Sequence, residues 1–448
     1  MSYYNSRGDI MIVKELKKRE KYLKQLIAFQ DTEPVKVITG IRRCGKSSLM
    51  HLMIRHLKEN GICSEQLVVI NFESMEYRDM NAKELYHYVK ERRYPGKKMY
   101  LFFDEIQRVP EWQDAINSFR VDFVCDIYIT GSNASLLSSE LSTYLSGRYI
   151  EIKMLPLSFK EFIEFHGWHL EEYRALTGEI RKRARNVQNE IVELSELFEA
   201  YMRFGGMPGI ADVGMEQDKV FTLLDGIYST VVVRDILERE RRRGQRQITD
   251  AELLRKIIRF LADNIGSSIS LNSISNTLVN EKLLEDRSRK GKPAVQTIQA
   301  YVGALLESFV FYEIKRFDIK GKDYLRTLGK YYIVDIGLRN YLLGYREMDS
   351  GHVIENIVYF ELLRRGYDVA IGKIDNKEVD FIATKTGEKK YIQVTEEISS
   401  ESVRERELSP LRQIKDNYEK NVIVLNCSIP SDQEGIKIIR LLDFLLEE

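Results

Sequence analysis

The chain has 448 residues, which at about 150 residues per domain predicts roughly three domains rather than one small module. Its 68 lysines and arginines balance 68 aspartates and glutamates, so the net charge is zero. This excludes an indiscriminately basic protein, and a nucleic acid or an anionic membrane would have to meet a local patch. With 44% hydrophobic residues, 30% charged residues and 8 prolines, the composition is that of a folded chain rather than a disordered one.

The amino terminus has no apolar run of signal-peptide length, and no stretch approaches the roughly 18 uninterrupted apolar residues of a membrane span. We therefore expect no membrane partner. The four cysteines, Cys44, Cys63, Cys125 and Cys427, are scattered without metal-binding spacing. This argues against a zinc site or a disulfide framework and fits a reducing compartment. The sequence thus predicts a cytoplasmic protein.

Residues 35–153 alternate short β-branched or aromatic runs with longer helical stretches, which predicts an α/β domain with a largely parallel sheet. The short runs are apolar and bounded by Gly, Asn or Asp, as in strands buried on both faces. Five strands are predicted, at Val35–Thr39, Leu67–Phe72, Met99–Phe103, Asp126–Thr130 and Arg148–Lys153.

The most specific motif is a glycine-rich stretch between the first predicted strand and the next helix. It reads Gly40-Ile41-Arg42-Arg43-Cys44-Gly45-Lys46-Ser47, followed by Ser48, and matches the phosphate-binding pattern GxxxxGK[ST]. Backbone N–H groups and the helix N-terminus would bind the phosphates of ATP. Lys46 would reach the β and γ phosphates, and the Ser47 hydroxyl would bind Mg²⁺. Arg42 and Arg43 would contact phosphate or nucleobase, or face solvent.

Two further predicted strands end in polar residues that suit the same chemistry. The third ends in Asp104-Glu105, where Asp104 would hold Mg²⁺ and Glu105 would polarise the water that attacks the γ phosphate. The fourth ends in Thr-Gly-Ser132-Asn133, and one of these last two side chains would sense the γ phosphate. Arg148 would neutralise transition-state charge, in its own chain or across a subunit boundary.

Together with Leu145-Ser-Gly-Arg148 and Phe204-Gly-Gly-Met-Pro208, these motifs resemble a large family of prokaryotic ATPases of the AAA+ superfamily. The resemblance covers nearly the whole chain. It implies ATP binding and hydrolysis by a P-loop domain, an oligomer being possible, and a carboxy-terminal domain with a restriction-endonuclease-like core. We expect a P-loop ATPase domain at 20–157, a helical lid or linker at 158–235, a winged-helix-like domain at 236–345 and a restriction-endonuclease-like domain at 346–448.

Three helices and a β-hairpin are predicted between residues 253 and 334, which is the pattern of a winged helix. Its recognition helix would be Val295–Glu307, whose Gln296, Thr297 and Gln299 would meet base edges or phosphates of double-stranded DNA. Two basic clusters would add phosphate contacts or form solvated helix faces, which leaves a protein partner as the alternative. The clusters are Arg239 to Arg246 and the loop with Arg287, Arg289, Lys290 and Lys292.

Further helices are predicted outside these motifs. The charged and amphipathic stretch Glu179–Glu199 predicts one long helix. The last hundred residues predict a helix, three strands, a second helix over Leu411–Glu419 and a final strand.

The resemblance also implies a place for a nuclease site. A restriction-endonuclease-like fold gathers Mg²⁺ with acidic residues on its first helix, second strand and third strand, and the third strand adds a lysine. Here Glu355 and Asp380 fill the first two positions, but the third strand offers Gln393 and Thr395. A neutral amide is a poorer Mg²⁺ ligand than a carboxylate. We therefore expect a catalytically degenerate domain used for binding or scaffolding, with a nuclease as the alternative.

The sequence predicts an Mg²⁺-dependent ATPase whose nucleotide state is coupled to a carboxy-terminal module that binds DNA or protein. Two alternatives stay open. One is a slow nucleotide switch or scaffold that acts on protein partners, and the other is an ATP-regulated nuclease.

Overall fold

In the computed structural model the chain forms two compact units, Met1–Met154 and Leu155–Glu448. The structure describes residues 3–4, 10–11, 16–137, 147–175, 178, 180–229, 235–242, 248, 250–280, 295–427 and 431–447. The predicted basic loop from Arg287 to Lys292 lies outside the described residues, as does the second half of the cluster from Arg239 to Arg246. The division into four domains stays a prediction.

The first unit is built on a five-stranded parallel sheet. A short strand pair, β1 (Tyr3–Tyr4) and β2 (Ile10–Met11), precedes it. The sheet strands are β3 (Val35–Thr39), β4 (Leu67–Asn71), β5 (Met99–Asp104), β6 (Cys125–Gly131) and β7 (Tyr149–Lys153). They lie in the order β4-β5-β6-β3-β7, and all neighbours are parallel. The five predicted strands are confirmed to within one residue at each end, because buried strands carry unbroken apolar runs.

Helices of the first unit are α1 (Glu20–Ala28), α2 (Lys46–Glu59), α3 (Ala82–Glu91) and α4 (Trp112–Asp122). The start of α3 has a capping box, in which the Asn81 side chain accepts the N–H of Glu84 at 3.0 Å and the Glu84 carboxylate accepts the N–H of Asn81 at 3.0 Å. Phe119 of α4 stacks on Phe103 of β5 with ring centroids 5.8 Å apart. Such apolar contacts hold the helices on the sheet.

The parallel arrangement brings the carboxyl ends of β3, β5 and β6 to one edge of the sheet. The glycine-rich loop follows β3, Asp104 ends β5, and Ser132 follows β6. Open α/β sheets bind their ligands at this edge. The fold therefore collects the three predicted motifs in one place.

A buried ion pair ties β3 to β6. The Lys36 ammonium contacts the Asp126 carboxylate, and both side chains are inaccessible to solvent. Lys36 also donates to the carbonyl oxygen of Thr32 at 2.8 Å, while Asp126 accepts the hydroxyl of Tyr128 at 2.9 Å and the N–H of Asp31 at 2.8 Å. These extra hydrogen bonds offset the cost of removing the two charges from water.

Within the described residues, no helix of the chain combines the length and the apolar character needed to cross a bilayer.

The second unit contains helices and two sheets. The helices are α5 (Phe159–Phe165), α6 (Leu194–Phe204), α7 (Ile210–Val213), α8 (Gln217–Ile227), α9 (Asp235–Arg242), α10 (Ala251–Asp263), α11 (Leu271–Asn280), α12 (Val295–Glu307), α13 (Ile336–Leu343), α14 (Ser350–Arg364), α15 (Glu401–Arg412) and α16 (Leu441–Leu446).

A three-stranded antiparallel sheet lies where the sequence predicts part of a long helix. Its strands β8 (Trp168–Arg174), β9 (Ile180–Asn186) and β10 (Ile191–Val192) have the order β10-β9-β8. The helix predicted over Glu179–Glu199 is therefore wrong up to Leu194, where α6 begins. Arginines at every second position of β9 alternate with the buried Ala184, and this period of two is that of a strand.

The other sheet of the second unit has nine strands in the order β11-β13-β12-β14-β15-β16-β17-β19-β18. It crosses the boundary predicted at 345/346, because Arg316 to Asp318 pair in parallel with Ile371 to Lys373. The strands are β11 (Ser268–Ile269), β12 (Phe311–Asp318), β13 (Asp323–Ile333), β14 (Asp368–Ile374), β15 (Lys377–Lys385), β16 (Glu388–Glu397), β17 (Glu419–Asn426), β18 (Ser431–Gln433) and β19 (Ile436–Arg440).

The predicted helices and hairpin of the middle region are confirmed as elements. Helix α12 has the predicted bounds, and β12 pairs antiparallel with β13. The helix predicted over Leu411–Glu419 is wrong, since α15 begins ten residues earlier. The Ser400 side chain caps α15 by accepting the N–H of Val403 at 3.3 Å, and Pro410 lies in the last turn, where it removes only one backbone hydrogen bond.

Replacing Asp126 by Ala should destabilise the first unit by about 3–5 kcal/mol, because the Lys36 ammonium would stay buried without its partner. Guanidinium unfolding of the full chain measures this loss. The control Asp79→Ala removes an exposed carboxylate in the loop after β4 and should cost at most about 0.5 kcal/mol. An equal, small effect of both substitutions would contradict the assigned role of the ion pair.

Candidate functional site

The loop between β3 and α2 wraps around the Lys46 side chain. The Lys46 ammonium donates to the carbonyl oxygens of Gly40 at 3.1 Å and Ile41 at 3.3 Å, and the side chain is 4% exposed. Gly40 has φ +143° and Gly45 has φ +104°, which a side chain would strain. The loop thus holds a positive charge at the N-terminus of α2, which is a ready anion-binding arrangement.

A carboxylate faces this ammonium. The Glu105 carboxylate oxygen lies 3.8 Å from the Lys46 nitrogen, and the other oxygen accepts hydrogen bonds from Gln107 at 2.5 Å and Ser132 at 3.0 Å. Glu105 has a left-handed backbone with φ 57°, a strained conformation of the kind found at functional sites.

The charge state of Glu105 depends on this contact. Burial raises the pKa of the Glu105 carboxyl, but the Lys46 ammonium and the hydrogen bonds from Gln107 and Ser132 outweigh burial, so that the pKa lies below its ordinary value. Glu105 is therefore ionised at neutral pH. An ionised carboxylate can accept a proton from water.

Asp104 is held beside it by two neighbouring strands. Its carboxylate accepts the Thr130 hydroxyl at 2.5 Å and the Asn71 amide at 3.2 Å. The Ser47 hydroxyl lies at the exposed start of α2. Hydroxyl and carboxylate oxygens suit Mg²⁺, which prefers hard oxygen ligands, so that this donor set fits the predicted metal.

The two sensor candidates differ in their contacts. Ser132 donates to Glu105, whereas Asn133 is buried next to it after β6. Of the remaining loop residues, Ile41 and Cys44 are buried, Ser48 is half-buried, and Arg43 is exposed with φ 65°. Ser132 is the member of the pair that contacts the carboxylate.

Arg148 lies at the amino edge of the sheet. In the register of β3 and β7, Val35 pairs with Tyr149 and Thr39 pairs with Lys153. Arg148 therefore precedes β7 by one residue, while the phosphate loop follows the carboxyl end of β3. The two ends of the strand are roughly 17 Å apart at strand rise, and the role of Arg148 stays a prediction.

Several residues of the site were missed from the sequence. Arg19, just before α1, donates to the carbonyl oxygen of Cys44 at 3.1 Å and so braces the loop. Glu73 binds both Arg42 and Arg108, the latter at 3.1 Å. Arg19, Glu73 and Arg108 belong to none of the predicted motifs, and their contacts arise only when distant segments meet.

A cleft of about 1050 Å³ in the second unit contains all four residues of the predicted nuclease position. The Asp380 carboxylate accepts the N–H of Val394 at 2.8 Å, and the Gln393 carbonyl accepts the N–H of Asp380 at 2.7 Å. The Gln393 amide donates to Glu407 at 3.0 Å. Thr395, at the position where the family pattern has a lysine, donates its hydroxyl to the backbone carbonyl oxygen of Glu397.

The structure brings a lysine to this cleft from another strand. The Lys330 ammonium on β13 lies 2.9 Å from Glu355 and 2.8 Å from Glu378. Tyr332, two residues along the same strand, donates to the same Glu355 oxygen at 2.5 Å. In the sequence, Lys330 and Tyr332 are two residues apart, which predicts that both lie on one face of a strand. The sequence does not indicate that this face meets Glu355.

The charged groups in the cleft shift one another's pKa values. Burial raises the pKa of Asp380, and the nearby Glu355 raises it further, well above the ordinary value. For Glu355, burial acts in the same direction, but Lys330 outweighs it and lowers the pKa. Among the described residues, no group of three or more His, Cys, Asp or Glu side chains has the arrangement of a metal site. Lys330 is thus the cation that Glu355 already binds.

The chain has relatives over nearly its full length. An uncharacterized protein of Haemophilus influenzae is 40% identical over 433 residues, which are 96% of this chain and 98% of the relative. The chain belongs to the family of this protein. An uncharacterized protein of Methanocaldococcus jannaschii is 30% identical over 405 residues, which are 88% of this chain and 82% of the relative.

Two family models match parts of the chain. A model described as an AAA domain matches residues 32–163, and a model described as a domain of unknown function matches residues 195–349. Among solved structures, a Walker-type ATPase of Pyrococcus abyssi is 17% identical with a TM-score of 0.44, over 74% of this chain and 99% of that chain. The model described as an AAA domain spans the parallel sheet and its phosphate loop.

Gly40→Ala should destabilise the AAA domain and distort the loop, because the new Cβ would lie 2.1 Å from the carbonyl oxygen of Met154. Gly61→Ala is the matched control: it also has a positive φ, +87°, but no atom lies within 4 Å of its Cβ. We expect a lower melting temperature for Gly40→Ala than for Gly61→Ala. Equal melting temperatures would contradict the close approach.

Proposed function

We propose that the chain binds ATP with Mg²⁺ and hydrolyses it at the carboxyl edge of the first sheet. The observation that carries this proposal is the Lys46 ammonium, held by the loop carbonyl oxygens and 3.8 Å from the ionised Glu105. An ammonium and a carboxylate that face each other beside a helix N-terminus suit a phosphate and an attacking water.

Each residue of the site has a distinct role in this proposal. Lys46 and the backbone N–H groups of the loop bind the β and γ phosphates, and Lys46 draws charge from the γ phosphate as it is transferred. Ser47 and Asp104 hold Mg²⁺, which neutralises phosphate charge when bound. Glu105 orients the attacking water and accepts its proton, while Gln107 and Ser132 hold the carboxylate in place.

Two predicted residues take narrower roles. Ser132 is the better sensor candidate, because its hydrogen bond to Glu105 would respond to a γ phosphate on the carboxylate. Arg148, exposed at the amino edge, would act only on the nucleotide of a second copy of the chain.

Glu105→Gln should keep ATP binding and lower the rate of phosphate release by about 10²- to 10⁴-fold, because the amide cannot accept the proton of water. Lys46→Ala should lose ATP binding. Nucleotide titration and phosphate release by the full chain separate the two effects.

The controls for these variants are Glu111→Gln and Lys58→Ala, both at exposed positions of the same unit. Both should turn over ATP at the wild-type rate. A wild-type chain that releases no more phosphate than Lys46→Ala, with or without DNA, would exclude hydrolysis.

We further propose that the nucleotide state is coupled to a module of the second unit that binds DNA or protein. The order α10, β11, α11, α12, β12, β13 supports a winged-helix reading, in which α12 presents the exposed Gln296 and Gln299. The half-buried Thr297 lies between them. Protein partners are the alternative occupant.

The double variant Lys290→Ala with Lys292→Ala tests the hypothesis that the second unit binds DNA. If these lysines contact phosphates, the affinity for duplex DNA should fall and its dependence on salt should become shallower. Filter binding across a salt series measures both. DNA retention that does not depend on the salt concentration, or equal DNA retention by the wild type and the variant, would favour a protein partner.

For the carboxy-terminal residues we propose a restriction-endonuclease-like scaffold without nuclease activity. The order α14, β14, β15, β16, α15, β17 supports the fold, and the pairing of Lys330 with Glu355 and Glu378 supports the loss of activity. Incubation of duplex and single-stranded DNA with Mg²⁺ or Mn²⁺ should leave both intact. Cleavage that Asp380→Ala abolishes would establish the ATP-regulated nuclease instead.

A further inference from the structure

One carboxylate beside the phosphate loop binds two arginines. The same oxygen of Glu73 contacts a guanidinium nitrogen of Arg42 and, at 3.1 Å, one of Arg108. The three side chains are partly exposed, with 38% for Glu73, 27% for Arg42 and 26% for Arg108. One carboxylate therefore binds two guanidinium groups.

All three residues lie at the edge of the sheet where the phosphates are proposed to bind. Arg42 is in the loop between Gly40 and Gly45, and Arg108 ends the short 3₁₀ turn that follows Glu105. Asn71 fixes Glu73 in this place, because its side-chain oxygen accepts the N–H of Glu73 at 2.8 Å while its amide donates to Asp104. Glu73 is thereby tied to the residue proposed to hold Mg²⁺.

Arg42 belongs to the same loop as Lys46, which is four residues further along the chain. The Lys46 ammonium lies 3.8 Å from the Glu105 carboxylate, and Arg108 ends the turn that follows Glu105. A γ phosphate bound by Lys46 next to Glu105 would therefore lie at the same edge of the sheet as Arg42 and Arg108.

We propose that Glu73 is a latch for Arg42: without nucleotide it holds the guanidinium, and the γ phosphate of ATP takes Arg42 over while Arg108 stays on Glu73. The inference rests on the proposed ATPase function. No bond is made or broken in this exchange, since Arg42 only changes its anionic partner. In its second position Arg42 neutralises charge on the γ phosphate during transfer.

The second arginine makes the exchange possible at low cost. When Arg42 leaves, Arg108 still pairs with Glu73, so no carboxylate is left unpaired. A phosphate dianion attracts a guanidinium more strongly than a partly exposed carboxylate does, and it can bind the planar group through two oxygens. ADP lacks the γ phosphate and would leave Arg42 on Glu73. The latch therefore distinguishes ATP from ADP without Arg148.

The test compares binding of ADP and of the non-hydrolysable analogue AMP-PNP to the full chain by calorimetry. Glu73→Gln should bind AMP-PNP about two- to fivefold more tightly, the range expected for a partly exposed ion pair, with ADP affinity unchanged. Arg108→Ala should lower the affinity for AMP-PNP by a similar factor. Without Arg108, Glu73 has no second arginine to pair with when Arg42 leaves. The double variant Glu73→Gln with Arg108→Ala should regain the affinity of Glu73→Gln. The matched control Glu76→Gln lies in the same loop and should equal the wild type.

Turnover gives a second readout. Arg42→Ala should lower kcat at least about tenfold and leave ADP affinity unchanged, whereas Arg78→Ala, exposed in the loop after β4, should change neither. Equal AMP-PNP affinities of Glu73→Gln and Glu76→Gln, with normal binding by the wild type, would overturn the latch alone. A wild-type chain that binds neither nucleotide would overturn the proposed function and the latch with it.

Discussion

The Lys46 ammonium is the charge on which the rest of the first site depends. It is nearly inaccessible to solvent, it holds the loop through two carbonyl oxygens, and it faces Glu105 at 3.8 Å. A buried carboxyl without such a neighbour is protonated more easily, because burial disfavours its charged form. Lys46 therefore shapes the loop and also keeps Glu105 ionised. Both effects need the parallel sheet, which brings the ends of β3 and β5 to one edge.

Much of this site could be predicted from the sequence, because its parts are local. The run Gly40 to Ser47 matches a defined phosphate-binding pattern. The segments before it and before Asp104 are short apolar runs, which are typical of buried strands. The contacts of Glu73 and Arg19 could not be predicted, since each joins segments that are far apart in the chain. Sequence spacing carries no signal for such pairs. The motif around Arg148 likewise does not show at which edge of the sheet this residue lies, because strand register decides it.

The second unit shows where local patterns mislead. The charged stretch before Leu194 suits a helix by composition, but Arg181, Arg183 and Arg185 follow the period of a strand, with Glu171 on the neighbouring strand binding the last two. In the carboxy-terminal cleft, the lysine missing from β16 has a counterpart in Lys330 on β13, which the topology brings to Glu355. A cation on a different strand cannot be found by reading one motif. Lys330 pairs there with two carboxylates, Glu355 and Glu378.

Cleavage of the γ phosphate of ATP is the step that we propose for the first unit. It is measured most directly in a single-turnover experiment, in which excess full chain is mixed with radiolabelled ATP with and without Mg²⁺ and the label is separated into ATP and phosphate. Bound ATP should convert to ADP and phosphate in one exponential phase only when Mg²⁺ is present. Bound ATP that stays intact with Mg²⁺ throughout many hours would exclude hydrolysis by this chain.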